Sequence, residues 1–86
     1  MKTEIIVDGI YFDEDGNAQY IPELEYTPAK NMTEAKRIAK RFLKTKEGCT
    51  HVYIWRNYVD EYGTIEAQDS WLCELSEDKK SIIARS

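Results

Sequence analysis

Residues 31–47, Asn-Met-Thr-Glu-Ala-Lys-Arg-Ile-Ala-Lys-Arg-Phe-Leu-Lys-Thr-Lys-Glu, form the stretch of the chain with a clear helical period. Apolar residues recur at steps of three and four, which predicts an amphipathic helix. Asn31 is suited to cap its start, Glu34 completes a capping box, and Gly48 is suited to end it. Such a helix is about 25 Å long, enough to cross four or five strands. The apolar stripe consists of Met32, Ala35, Ile38, Ala39, Phe42 and Leu43.

Segments rich in β-branched and aromatic residues lie on both sides of this helix and predict strands. Asp-Gly and Tyr-Gly sequences between them, at residues 13–17 and 61–63, indicate turns. Strands on both sides of one helix predict an α+β fold: one antiparallel sheet of four to five strands with the amphipathic helix across one face, in the order β-β-α-β-β-β. We expect residues 1–86 to be a single domain. The predicted strands are residues 3–12, 19–27, 50–60, 64–75 and 81–85.

Two of these strands carry irregular features. Residues 19–27 alternate in a way that places Glu23 and Glu25 on one face, but Pro22 has no amide hydrogen, so this strand should be bulged or at an edge. In the strand at residues 64–75, Ile65 shares a parity with Trp71, and a bulge at residues 68–70 would change that register.

The strand at residues 50–60 is apolar on both faces. Val52, Ile54 and Tyr58 share one parity, which the helix should cover, whereas Tyr53 and Trp55 share the other. Because one helix covers one face, the aromatic pair is expected on the uncovered side. The alternative is a bulge that reverses the alternation and buries Trp55 in the core.

The net charge of −4 is unevenly distributed. Residues 1–30 carry two lysines against seven acids, a net −5, and residues 48–86 carry four bases against seven acids, a net −3. Residues 31–47 carry six bases against two acids, a net +4. The basic helix is either a solvated surface balanced by nearby carboxylates or a nucleic-acid-binding surface. Its candidate nucleic-acid-binding residues are Lys36, Arg37, Lys40, Arg41 and Lys44.

No catalytic or metal-binding spacing is apparent. Cys49, His51 and Cys73 lack the paired spacing of zinc ligands, and in residues 13–17 the glycine is too early for a calcium loop. No third residue is evident to orient His51 as a base for Cys49. We therefore expect no enzyme activity, no cofactor and no metal. The absence of a long apolar run or an apolar leader predicts a cytoplasmic protein with reduced cysteines and no membrane partner.

A protein partner fits the predicted uncovered face best. Tryptophan and tyrosine are enriched among the residues that dominate binding at interfaces, and an acidic rim favours a basic partner surface. The same acids would repel the phosphates of a nucleic acid. The candidate partner-binding residues are Tyr53, Trp55, Glu23, Glu25 and Glu66.

The run Asn-Met-Thr-Glu-Ala-Lys-Arg-Ile-Ala at residues 31–39, followed by Cys49, His51, Val52 and Ile54 and then by Trp71-Leu72, resembles the core of small phage-encoded anti-CRISPR proteins of the β-α-β type. This chain departs from that pattern in its longer first hairpin, an additional C-terminal strand and its acidic body. The resemblance implies an inhibitor that binds a type I CRISPR surveillance complex in a bacterial host and occludes a nucleic-acid-binding surface.

Overall fold

The computed structural model describes residues 2–86. These residues fold into an antiparallel sheet with one helix packed across one face. This confirms the predicted α+β class and the order of the elements. The strands are β1 (Lys2–Phe12), β2 (Ala18–Tyr20), β3 (Thr27–Ala29), β4 (His51–Val59), β5 (Ile65–Leu75) and β6 (Ile82–Arg85), and the helix is α1 (Met32–Thr45).

The strands lie in the order β2-β1-β4-β5-β6, and β3 pairs with β1 beside β2. The central pair is β1 with β4, which runs in register from Lys2 opposite Val59 to Ile10 opposite His51. The six strands exceed the four to five predicted because the single strand expected over residues 19–27 is divided in two.

The division of that predicted strand has a local cause. Pro22 begins a 3-10 turn, Pro22–Leu24, and Tyr26 adopts a left-handed backbone with a φ of 53°. Proline cannot donate to a sheet ladder, and a residue with positive φ cannot continue an extended strand. The prediction of a continuous strand here is therefore wrong, and Glu23 and Glu25 do not alternate as strand residues.

The ends of α1 follow the predicted signals. The Asn31 side chain accepts a hydrogen bond from the Glu34 amide at 2.8 Å, and the Glu34 carboxylate accepts one from the Lys30 amide at 3.1 Å. Gly48 has a φ of 86°, which a side chain would disfavour. The helix ends at Thr45, two residues earlier than predicted.

The core lies between α1 and the sheet. The buried helix residues are Ala35, Ile38, Ala39 and Phe42, and they pack with Val7, Val52, Ile54 and Cys73. Val52 and Ile54 therefore face the helix as predicted. Leu24 extends this core from the 3-10 turn. Burial of this apolar surface is the main stabilising contribution to a domain of this size.

Two hairpin turns are stabilised in the same way, by an aspartate carboxylate that accepts hydrogen bonds from two backbone amides. The Asp13 carboxylate accepts hydrogen bonds from the amides of Asp15 and Asn17, and the Asp60 carboxylate does the same for Tyr62 and Thr64. The other Asp13 carboxylate oxygen accepts from the Gln19 amide at 2.9 Å. The residues considered as a calcium loop therefore use their first carboxylate to stabilise the turn, which is a common role of aspartate.

Candidate functional site

The sheet surface opposite α1, which we call the open face, contains two aromatic residues of β4, Tyr53 and Trp55. Trp55 lies between Ile6 of β1 and Ser70 of β5, and Tyr53 lies between Asp8 and Leu72. The two β4 rings are 4.9 Å apart between centroids and tilted by 35°. Both residues are half-buried, and neither belongs to the helix-side core. The predicted orientation of Tyr53 and Trp55 is confirmed, and the alternative that placed Trp55 in the core is wrong.

A buried carboxylate lies next to Trp55. Asp8 is only 4% exposed, and its two oxygens accept hydrogen bonds from the Trp55 indole at 2.7 Å and the Tyr26 amide at 2.8 Å. Within residues 2–86 it forms no ion pair. Burying a carboxylate is costly unless hydrogen bonds or an opposite charge compensate it. The two donors provide part of that compensation and hold the Trp55 ring in place.

An open depression of about 500 Å³ lies above this carboxylate. Its aromatic walls come from Trp55, Tyr20 and Tyr26, and its acidic groups come from Glu4, Asp8 and Glu25. Partial desolvation of the Tyr20 phenol, and next the negative charge of Asp8, raise the pKa of Tyr20. The other lining residues are Ile6, Asn57, Ile65 and Gln68, so that within residues 2–86 no lysine or arginine contributes to the wall.

A bulge in β5 brings Ile65 into this depression. Val59 pairs with Ile65 and Tyr58 pairs with Ala67, which leaves Glu66 unpaired. The extra residue reverses the alternation, so Ile65 lies on the open face although it was predicted to share a face with Trp71. The bulge expected at residues 68–70 is therefore at Glu66.

The five predicted partner-binding residues do not form one surface. Glu25 lines the depression with Trp55, and Tyr53 packs beside Trp55, whereas Glu66 is exposed at the bulge. Glu23 lies in the 3-10 turn and lines a separate groove of about 630 Å³ beside Phe42 and the C-terminal end of α1. Its separation from Glu25 follows from the break at Pro22.

Three residues that the sequence reasoning did not select complete the site: Asp8, Tyr20 and Tyr26. An isolated acid within the apolar run of residues 5–12 was a signal for Asp8. Nothing local in the sequence indicates that Tyr26, 18 positions later, donates its amide to that acid.

The side chains of His51 and Cys49 have different hydrogen-bond partners. The His51 ring lies 3.2 Å from the Glu74 carboxylate, which also accepts from Arg85 at 3.0 Å. The hydrogen bond from Arg85 is the main cause that lowers the pKa of Glu74. The Cys49 thiol donates to the His51 carbonyl rather than to its ring, and burial raises its pKa. This arrangement does not activate Cys49 as a nucleophile.

The basic residues of α1 lie on the surface of the molecule away from the sheet. Lys36, Arg37, Arg41 and Lys44 are exposed and Lys40 is partly so. None of them forms an ion pair with another residue in the described part of the chain. The basic surface and the open face are thus on opposite sides of the sheet.

Between Lys2 and Ser86, no three side chains of histidine, cysteine, aspartate or glutamate converge as metal ligands would. No helix in that range has the length and apolar character needed to cross a bilayer. No family model, curated protein or solved structure matches the chain.

Proposed function

We propose that this chain is a non-enzymatic protein-binding module that binds its partner through the open face around Trp55. The observation that carries the proposal is the depression, in which the described part of the chain combines aromatic rings and carboxylates without a basic side chain. Aromatic residues at the centre of an interface contribute much of the binding energy, and complementary charge gives specificity. The partner surface is therefore basic.

The resemblance to anti-CRISPR proteins makes the proposal more specific. A basic partner surface that accepts an acidic module is also a surface suited to bind nucleic acid, because both ligands are negatively charged. We assign the chain the role of a phage or mobile-element inhibitor, acting in the cytoplasm of a bacterial host. It would occlude such a surface on a host complex, of which a CRISPR surveillance complex is the example that the resemblance suggests.

The test compares matched variants in capture from a bacterial lysate, followed by titration of the purified partner. Trp55→Phe keeps an aromatic ring but removes the indole donor, and Trp71→Phe makes the same change on the helix side of the sheet. We expect Trp55→Phe to weaken partner binding by about tenfold or more, the usual effect at a dominant interface residue. Equal affinity for the two variants would contradict the assignment of the open face.

A second candidate function is direct nucleic-acid binding by α1. The observation that favours it is the stripe of five bases without acidic partners in the described residues. If it holds, duplex DNA binds tighter than the ~10⁻⁴–10⁻⁶ M of non-specific contacts at physiological salt and weakens steeply as salt rises. Replacing Lys36, Arg37 and Lys40 by glutamine should then abolish binding, whereas Trp55→Phe should leave it unchanged.

A further inference from the structure

We propose that the depression on the open face binds the guanidinium group of an arginine side chain. This inference rests on the proposed function, since it names the part of a protein partner that the open face recognises. The charge of the site is the first argument. Glu4, Asp8 and Glu25 line the depression, and no basic side chain between Lys2 and Ser86 does so. A cationic ligand would compensate charge that forms no ion pair within residues 2–86.

The hydrogen-bonding groups of the depression favour a ligand with several donors. An ionised carboxylate offers about four acceptor positions, and Asp8 uses two of them for Trp55 and Tyr26. The Gln68 amide donates to the Asn57 carbonyl at 2.7 Å, which leaves the Gln68 oxygen as an acceptor. A guanidinium group carries five N–H donors and no acceptor, so it matches this set.

The aromatic walls favour a planar cation. Arginine stacks on aromatic rings and pairs with carboxylates at the same time, whereas the ammonium group of lysine is compact and strongly hydrated. The Tyr26 side chain is 76% exposed at the edge of the depression, while its backbone has a φ of 53°. A bulky residue is strained in this backbone conformation, and such strain tends to be retained at functional sites.

The helix side of the same sheet contains an internal example of this recognition. The Arg56 guanidinium lies 5.1 Å from the Trp71 ring centroid and 5.5 Å from that of Tyr58, and it donates to Asp69 at 2.8 Å. On the open face, Trp55, Tyr26 and Asp8 provide rings and a carboxylate, and no arginine of the described residues lines them. The arginine comes from a partner.

The direct experiment is a titration of the ¹⁵N-labelled chain with the peptide Ac-Gly-Arg-Gly-NH₂, followed by NMR. The chain has two tryptophans, so its spectrum has two indole signals, which Trp71→Phe assigns. We expect a saturable shift of the Trp55 indole with a dissociation constant on the order of millimolar, as for one side chain. The Trp71 indole serves as the internal control and should not move.

Peptides with lysine or citrulline in place of arginine test the chemistry. Citrulline keeps the shape of arginine but lacks its charge. Saturable binding of the arginine peptide alone supports the inference. Equal binding of citrulline would overturn the charge argument, and equal or tighter binding of lysine would overturn the choice of a guanidinium. The absence of a saturable shift at tens of millimolar peptide would overturn the site.

Two variants separate binding from folding. Glu25→Gln should weaken the arginine peptide by about two- to fivefold, as an exposed ion pair does, whereas Glu14→Gln at the hairpin tip should not. Tyr26→Gly removes the ring but keeps the backbone donor to Asp8 and relieves the positive φ. We expect it to weaken binding without lowering the melting temperature. Unchanged peptide binding in both Glu25→Gln and Tyr26→Gly would contradict the proposed geometry.

These outcomes are distinguishable from failure of the proposed function. If a purified partner binds in a Trp55-dependent manner but the arginine peptide does not bind, the arginine inference is wrong and the open-face module remains. If the arginine peptide binds but partner binding is the same in Trp55→Phe and Trp71→Phe, the proposed function is wrong and the guanidinium site remains.

Discussion

Replacing Gly9 by alanine tests how the 3-10 turn is seated on β1. A Cβ atom at Gly9 would lie 2.6 Å from Cδ1 and 2.8 Å from Cβ of Leu24, and 3.3 Å from Sγ of Cys49. Ordinary carbon–carbon contacts are about 3.5–4.0 Å, so Leu24 and its turn would have to retreat by about 1 Å. Leu24 is 4% exposed in the core, which leaves it little room to move.

The sign of the effect makes this substitution informative. At an unconstrained strand position, alanine would be more stable than glycine by about 0.5–1 kcal/mol. Here we expect a net loss of about 1–3 kcal/mol, the usual cost of overpacking. Retreat of the turn would also strain the hydrogen bonds from the Ile21 amide to the Gly9 carbonyl, 3.0 Å, and from the Tyr26 amide to Asp8, 2.8 Å. Such a loss lowers the melting temperature by about 4–8 °C per kcal/mol in a domain of this size.

Urea unfolding and thermal melting, both followed by circular dichroism, measure this effect. Gly16→Ala is the comparison variant without a steric clash, because its Cβ would meet no atom within 4 Å. Its own loss of stability comes from the φ of +83° and leaves the Leu24 turn in place. The turn carries Tyr26, so Gly9→Ala should also shift the Trp55 indole signal, whereas Gly16→Ala should not. A Gly9→Ala variant as stable as the wild type or more stable would refute the close approach of Leu24.

Three further predictions concern the core, the acid range and the thiols. Phe42→Ala should lose about 3–5 kcal/mol of unfolding free energy because Phe42 is buried against the sheet. The control Arg41→Ala should change the unfolding free energy by less than about 0.5 kcal/mol. A Phe42→Ala melting temperature within two degrees of the wild type would show that Phe42 is not a core residue. The hydrogen bond from Arg56 is the main cause that lowers the pKa of Asp69. The ionised Asp69 therefore stabilises the folded state above about pH 4, and this contribution is lost as the pH falls through the folded-state pKa. Between pH 2 and 6, the melting temperature of Asp69→Asn should fall less steeply with decreasing pH than that of the wild type. Burial raises the pKa of Cys73 from 9.0 to about 11, which lowers its thiolate fraction near neutral pH by about a hundredfold. Ellman's reagent should therefore label Cys73 only after the protein unfolds. Rapid labelling of the folded Cys49→Ala variant, in which Cys73 is the remaining thiol, would contradict the burial of Cys73.

The parts of the fold that sequence patterns predicted depend on residues that are close together in the sequence. The helix follows from its apolar period and from Asn31 and Gly48, which act within one turn of its ends. The orientation of Trp55 and Tyr53 follows from strand alternation, because no bulge interrupts β4 before Tyr58. Both features could therefore be predicted from local sequence.

The candidate site was decided by contacts between distant segments. Asp8 and Trp55 are 47 positions apart, and Tyr26 reaches Asp8 only because the chain breaks at Pro22 and turns around the edge of β1. The bulge at Glu66 brings Ile65 to the open face, and it is an irregularity of pairing between β4 and β5. Periodicity indicates which face a residue occupies along one element, but it does not encode which elements become neighbours. The buried carboxylate, the strained tyrosine and the aromatic depression therefore arise from tertiary packing.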